Sequence, residues 1–529
     1  MRRGLVALAG LLLAAGCAKC GGSGAGGGAA GAPVERVVPR GVVGAVLVPS
    51  LGEAGKKLRL LERLKVAGFA AQLNGFDDGK AFADALVGQL GLDVRSPEAL
   101  EKAGVDGARG AALAALVTGH VYLALPVKDA GRLHHTLESL ASRRLGAGAN
   151  GTQRFGELEV RTFSPQQGAP PRLAYAVAHG YALVTDGAGL GQLPGLAAMT
   201  DADALASDKA YAAHVARLPK ARDVVVYLPT GSPALAQAPV TGVAASLTLS
   251  PAGLEVVADA PWKGEAAELA SLLPKKGKPL AGYLPADAFL VIRYDGEAAH
   301  LAPWAKLLLG PYLHRAMESG GLDLKGAVLD QLQPGLVAAL SLADRPPMGD
   351  GMPALDLRET NPFSYAHLSG AARVKDEKVV VPTLEKLIEV APRFGARMQL
   401  KERPDGQKAV LTTYAQGEGV HFAPRGELLF FASPVHRLDA LVKSDGKGGP
   451  ALPPPGDEAL FVSLDLSRLA ASVRALPESA WGLGGFAMKT TTLRWLDATD
   501  DLRAVTVSLG ARGTSVQARL MLSLAPADT

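Results

Sequence analysis

A chain of 529 residues with 48% hydrophobic content can bury a large core and is long enough for two or more domains. Its 55 basic and 51 acidic residues leave a formal charge of +4, and +2 without Arg2 and Arg3 of the leader, so the charge balance gives no sign of a nucleic-acid partner. Cys17 and Cys20 are the only cysteines, both near the amino terminus, which excludes a disulfide framework or a cysteine-ligated zinc site in the folded body.

Met1-Arg2-Arg3 is a short basic region, Leu5 to Ala15 an apolar stretch of about 11 residues, and Ala15-Gly16 the small pair that a signal peptidase requires. A spanning helix needs roughly 20 residues, so residues 1–16 read as a signal peptide. Ala14-Ala15-Gly16-Cys17 resembles the bacterial lipobox, with Ala14 where that pattern usually carries leucine. The resemblance implies cleavage between Gly16 and Cys17. It also implies a diacylglyceryl thioether and an N-acyl chain on Cys17, and so stable attachment to a membrane. Ala18 in place of aspartate implies sorting to the periplasmic face of the outer membrane in a Gram-negative host. A Cys-x-x-Cys redox pair would need a helix start beneath it, and glycines flank Cys17 and Cys20 instead. Residues 17–33 form a Gly/Ala-rich tether with a reach of roughly 20 to 24 Å.

The body opens with a strand in VPRGVVGAVLVPS from Val38 and continues through a helical region over Leu58 to Leu90. AALAALVTGHVYLALP, Ala111 to Pro126, is apolar enough to score as a membrane span, broken only at Thr118-Gly119-His120. Asp129 caps a helix in which Leu133, Leu137 and Leu140 form one stripe. Short strands follow, then a strand-to-helix turn in HGYALVTDGAGLGQL from His179. A strand in VVVYLPT from Val224 leads to a closing hairpin in GVAASLTLSPAGLEVVADA from Gly242.

The second half repeats the series. LPADAFLVIRYDG from Leu284 answers the opening strand at an offset of 246, and AARVKDEKVVVPTLEKLI from Ala371 answers ALPVKDAGRLHHTLESLA from Ala124 at 247. RGELLFFASPVHRLDAL from Arg425, LFVSLDL from Leu460 and DLRAVTVSLGARGTSVQARL from Asp501 complete the order, and GLDV from Gly91 is echoed by GLDL from Gly321. A helical region is expected over Trp304 to Leu332. A proline-rich insert, Ala343 to Ala366, separates the second copy's GLVAALSL from HLSGAARV; a hairpin loop tolerates that insertion and a spanning helix does not. The apolar run is therefore two strands. Together these features predict an α+β fold of two similar, duplicated domains, 34–274 and 284–529, joined by a linker at 275–283. Each is expected to be a mainly antiparallel sheet with helices on one face.

This order of an LPADA-type opening strand, a GLD stretch, an A-x-x-V-K-D strand and helix, and a strand-turn-helix is similar to a family of bacterial exported proteins defined only as a domain of unknown function. The resemblance covers most of residues 34–524. It implies fold and location, and brings no activity or catalytic residues.

Residue patterns that could carry chemistry each have a plainer reading. Gly187, Gly189 and Gly191 stand between a strand and a helix as a dinucleotide loop would, but Gln192 occupies the third glycine's place and the second copy turns with Ser433-Pro434. His134, His135 and Glu138 could form part of a metal site, yet the second copy has Val380 and Val381 there. His120, His179, His214 and His367 show no ligand spacing. Asp497, Asp500 and Asp501 lack the periodicity and glycine of a calcium loop, and Asp77-Asp78 and Asp201-Asp203 read as turns and caps. No G-x-S-x-G elbow occurs. We therefore expect no catalytic, cofactor-binding or metal-ligating residue, and a non-catalytic envelope lipoprotein that acts as a scaffold or binding protein. Its partners would be the membrane, through lipidated Cys17, and another envelope protein. The alternative is a carrier of lipid or another hydrophobic ligand, for which WAKLLLGPYL from Trp304 and ALPESAWGLGGFAM from Ala475 are the apolar segments.

Overall fold

The structure, a computed structural model, describes residues 33–525 apart from positions within 62–91, 265–268, 276–278, 299–328, 344–361, 403–407 and 415–416 and a few single ones. Gly16, Cys17, Cys20 and residues 18–32 of the tether lie outside the described residues, as do WAKLLLGPYL and most of the two long helical regions expected from the sequence. The chain divides into two compact units, Met1–Lys263 with Ser523–Thr529, and Gly264–Leu522, so the division falls ahead of the 275–283 stretch expected to be the linker. Antiparallel sheet predominates, with nine α-helices among the described residues.

In the first unit the strands are β1 (Val42–Val48), β2 (Ala111–Leu116), β3 (Val121–Pro126), β4 (Ala149–Phe155) and β5 (Leu158–Ser164). They continue with β6 (Leu173–Ala178), β7 (Tyr181–Asp186), β8 (Val224–Leu228), β9 (Val243–Ser250) and β10 (Gly253–Pro261). Their antiparallel pairings give the order β10-β9-β8-β1-β2-β3-β7-β6-β5-β4. The helices are α1 (Leu51–Leu61), α2 (Pro97–Lys102), α3 (Ala130–Leu145), α4 (Leu193–Ala197) and α5 (Lys209–Val215).

Successive side chains of a strand point to opposite faces of the sheet. On β7, Tyr181 and Leu183 join a core with Leu193 and Leu196 of α4 and Tyr211 of α5. Their neighbours Ala182 and Val184 join a second core with Leu51 of α1, Leu100 of α2 and Leu133 and Leu137 of α3. Helices therefore cover both faces, which corrects the expectation of helices on one. Burial on both sides also explains the continuous apolar run at 111–126. It is the β2–β3 hairpin, closed by Leu116 N–H donating to His120 O (2.8 Å) and by Gly119 at φ 81°. No helix among the described residues is long and apolar enough to cross a membrane.

Helix α3 follows the sequence closely. The Asp129 side chain accepts from Arg132 N–H (3.0 Å), and Gly146 ends the helix at φ 61°. Its buried stripe is Leu133, Leu137 and Ala141, whereas Leu140, expected in the stripe, is only half-buried.

The second unit contains β11 (Leu290–Tyr294), β12 (Leu332–Leu342), β13 (Ala366–Val374), β14 (Ala396–Glu402), β15 (Lys408–Tyr414) and the short β16 (Gly417–Glu418). They are followed by β17 (His421–Arg425), β18 (Leu428–Ser433), β19 (Leu460–Asp465) and β20 (Leu502–Arg512). The order is β20-β19-β11-β12-β13-β18-β17-β15-β14, all antiparallel. It corresponds strand for strand to β9-β8-β1-β2-β3-β7-β6-β5-β4. Helices α6 (Glu377–Val390) and α7 (Val435–Lys443) pack on opposite faces. Val380 and Leu384 of α6 lie with Phe422 and Leu429, whereas Leu438 and Leu441 of α7 lie with Ala423 and Phe430, the next residue along each strand. Between β19 and β20 stand α8 (Leu466–Arg474) and α9 (Gly485–Ala498), where Trp481, 1% exposed, packs with Val473 and Leu496. The segment ALPESAWGLGGFAM thus contributes to a core, not to an open pocket, where it is described.

Candidate functional site

The glycine turn at Gly187–Gly191 is filled by the protein itself. A side chain at Gly187 would overlap Pro171 O, and one at Gly189 would overlap Thr185 Oγ1, while Gly191 faces open space. Gly189 N–H, which would serve a phosphate, donates to Asp186 Oδ1 (2.9 Å). A carboxylate therefore already sits where an anion would bind. His134 and His135 on α3 are also engaged locally. His134 stacks on Phe163 (5.8 Å between centroids) with Nδ1 3.0 Å from the Tyr175 hydroxyl, and burial holds its imidazole below the usual histidine range. His135 and Asn150 both bond Glu138. Among the described residues, no three His, Cys, Asp or Glu side chains are arranged to hold a metal ion.

The acidic turns resolve in the same way. Asp497 and Asp500 clamp Arg474 at 2.7 and 3.0 Å, and these hydrogen bonds raise the guanidinium pKa further. Asp78 caps the chain at Ala81 N–H (2.6 Å), Asp203 accepts from Thr200 Oγ1 (2.6 Å), and Asp201 pairs with Arg36 (3.7 Å). His179, at φ 53°, and Gly180, at φ 75°, form the tight β6–β7 turn. His367 lies buried on β13 with its ring edge-on to His436 of α7 (5.8 Å).

Two buried acid–histidine pairs escaped the sequence reading because tertiary folding, not a motif, brings them together. In the second unit Glu418, whose side chain is 8% exposed, accepts from His421 Nε2 (2.8 Å) and from Val435 N–H (2.6 Å) at the start of α7. His421 Nδ1 accepts from Thr412 N–H (2.9 Å), which fixes the neutral tautomer with its proton on Nε2. Burial alone would push the Glu418 carboxyl up, but its hydrogen bonds to His421 and Val435 outweigh burial and hold it below the usual range. With both ring nitrogens committed, His421 has no lone pair left to act as a base.

In the first unit His214 on α5 lies with Nδ1 3.0 Å from Oδ2 of Asp259 on β10. Asp259 is fully buried and also meets Arg217 (3.4 Å). The other ring nitrogen, His214 Nε2, lies beside Gly242, where an added Cβ would stand 3.3 Å from it. The pair ties α5 to β10.

Beside Gly242, the β8–β9 connection folds into an open cleft of about 280 Å³. Gly231 turns the chain at φ 83°, and Ser232 N–H donates to Pro229 O (3.0 Å). The walls are mainly apolar, with Pro233, Leu235, Ala236 and Val240, and the polar residues of the lining are Thr230, Ser232, Thr241 and Lys263.

No family model matches this chain, and no curated protein matches it. Solved structures of TP0453 are similar to it. Crystal form I is 12% identical with a TM-score of 0.25, covering 48% of this chain and 81% of that one. Crystal form IV is 10% identical with a TM-score of 0.26, covering 48% and 83%. At these scores the likeness supports no argument about fold or activity.

Proposed function

We propose that this chain is a lipid-anchored, non-catalytic binding scaffold of the cell envelope, built by duplication of one α+β unit. The observation that carries the reading is Ala14-Ala15-Gly16-Cys17 behind an apolar stretch and ahead of a Gly/Ala-rich tether. Two features of the folded body support it. The buried acid–histidine pairs hold elements in place: Glu418 and His421 fasten α7, and His214 and Asp259 fasten α5. The corresponding strand orders of the two units, each with an aspartate-capped helix after Val-Lys-Asp, support duplication; Asp129 accepts from Arg132 N–H and Asp376 from Lys378 N–H, both at 3.0 Å.

The test is Cys17→Ser in the native host. It should abolish labelling by radioactive palmitate and move the protein out of the membrane fraction or stall its processing, and Cys20→Ser should do neither. Labelled, membrane-bound Cys17→Ser protein would overturn the anchor. In-cell crosslinking of the wild type then identifies the envelope protein that the scaffold holds.

A further inference from the structure

We infer that the cleft at the β8–β9 connection binds a small amphipathic carboxylate, with the apolar body against Leu235, Ala236 and Val240 and the carboxylate at Lys263. This goes beyond the anchored-scaffold reading and does not depend on the anchor, since every lining residue belongs to the folded first unit.

Size, wall chemistry and charge agree on this ligand class. A volume of about 280 Å³ equals about nine water volumes and suits a molecule of roughly ten heavy atoms. Apolar walls with a few convergent polar groups are the usual composition of small-molecule sites. Lys263 is the one charged side chain of the lining, it is exposed, and it forms no ion pair among the described residues. A single lysine matches a monoanion; a phosphate dianion calls for more donors, commonly from arginine. Asp259, the acid on the adjoining strand β10, is fully buried and engaged by His214 and Arg217, so it does not oppose an anion at the mouth. Thr230 and Thr241 belong to the same lining, and a threonine hydroxyl is able to donate to the second carboxylate oxygen.

The second unit lacks a counterpart. Its β19–β20 connection carries α8 and α9 in place of the short loop between Leu228 and Val243. The site therefore distinguishes the two copies.

Octanoate and octan-1-ol are the probes, titrated by calorimetry into the full chain carrying Cys17→Ser so that no detergent competes. Octanoate should bind at one site with a Kd on the order of 0.1 to 1 mM, as expected of a ligand this small. Lys263→Met should weaken octanoate about tenfold, the worth of one charge-assisted hydrogen bond, and leave octan-1-ol unchanged. Ala236→Trp, at an exposed position on the cleft wall, should abolish both. The inference is overturned by no saturable octanoate binding, by equal affinity in Lys263→Met, or by binding that survives Ala236→Trp. None of these outcomes bears on the anchor, which stands or falls with the palmitate label.

Discussion

Removing the Glu418 carboxylate should loosen α7 while leaving the first unit intact. In Glu418→Ala, His421 Nε2–H and Val435 N–H lose their acceptor, and His421 is 1% exposed in the wild type. His421 is neutral, so no buried charge is left behind; each of the two buried donors left without a partner costs about 1–3 kcal/mol. We expect a local loss of about 3–5 kcal/mol. Glu418→Gln keeps an oxygen acceptor but gives up the charge, and should cost about 1–2 kcal/mol, because charge-assisted bonds are roughly twice as strong as neutral ones. A chain of two units has no single unfolding equilibrium, so the assay is native-state hydrogen exchange on peptides from α7, β17 and β18. Glu418→Ala should lower protection there by a factor on the order of a hundred to a few thousand. The pH dependence has a definite sign. The folded carboxyl has a lower pKa than the unfolded one, so its contribution is present above the unfolded value of about 4.3 and fades as pH falls through the folded value. Protection of α7 in the wild type should decline on acidification below about pH 4.3, and the glutamine variant should not show that component. Unchanged exchange in Glu418→Ala, or the same acid response in Glu418→Gln, would refute the reasoning.

The glycine turn and the α3 stripe give sharper contrasts, read by native-state hydrogen exchange on peptides of the first unit. Gly187→Ala should destabilise the first unit by about 1–3 kcal/mol or more through overlap with Pro171 O, while Gly191→Ala, facing open space, should stay within about 0.5 kcal/mol. Equal tolerance at the two positions would contradict the packed corner. Leu133→Ala, 1% exposed in the wild type, should cost about 2–5 kcal/mol and Leu140→Ala markedly less; equal costs at the two positions would restore the stripe expected from the sequence.

Local patterns were the legible part of this protein. Asp129 at the start of α3, the glycine-bent hairpins and the β2–β3 pair inside an apolar run all follow from neighbours in sequence. The distribution of helices over both faces did not follow. Tyr181, Ala182, Leu183 and Val184 are all apolar, and a strand buried on both sides loses the alternation that would reveal its faces. The stripe error at Leu140 has a related cause: leucine outranks alanine in hydrophobicity, but the close approach to the sheet falls at Ala141. The acid–histidine pairs carried little sequence signal. His214 and Asp259 stand far apart in the chain, and the three-residue spacing of Glu418 and His421 would suggest a helix where there are strands.

The β2–β3 hairpin has a consequence outside the folded state. On the export route that the proposed lipoprotein signal implies, the chain would be threaded unfolded across a bilayer and would present Ala111 to Pro126 to the lipid-facing gate of its channel before any sheet exists to hold it. A run close to the roughly 20 apolar residues of a spanning segment risks lateral escape into the membrane. Thr118-Gly119-His120 interrupts it near the middle, so the turn that closes the hairpin after folding would, on that proposed route, also let the chain pass before folding. A turn rebuilt from leucines would be selected against during transit, however well the finished sheet accepted it.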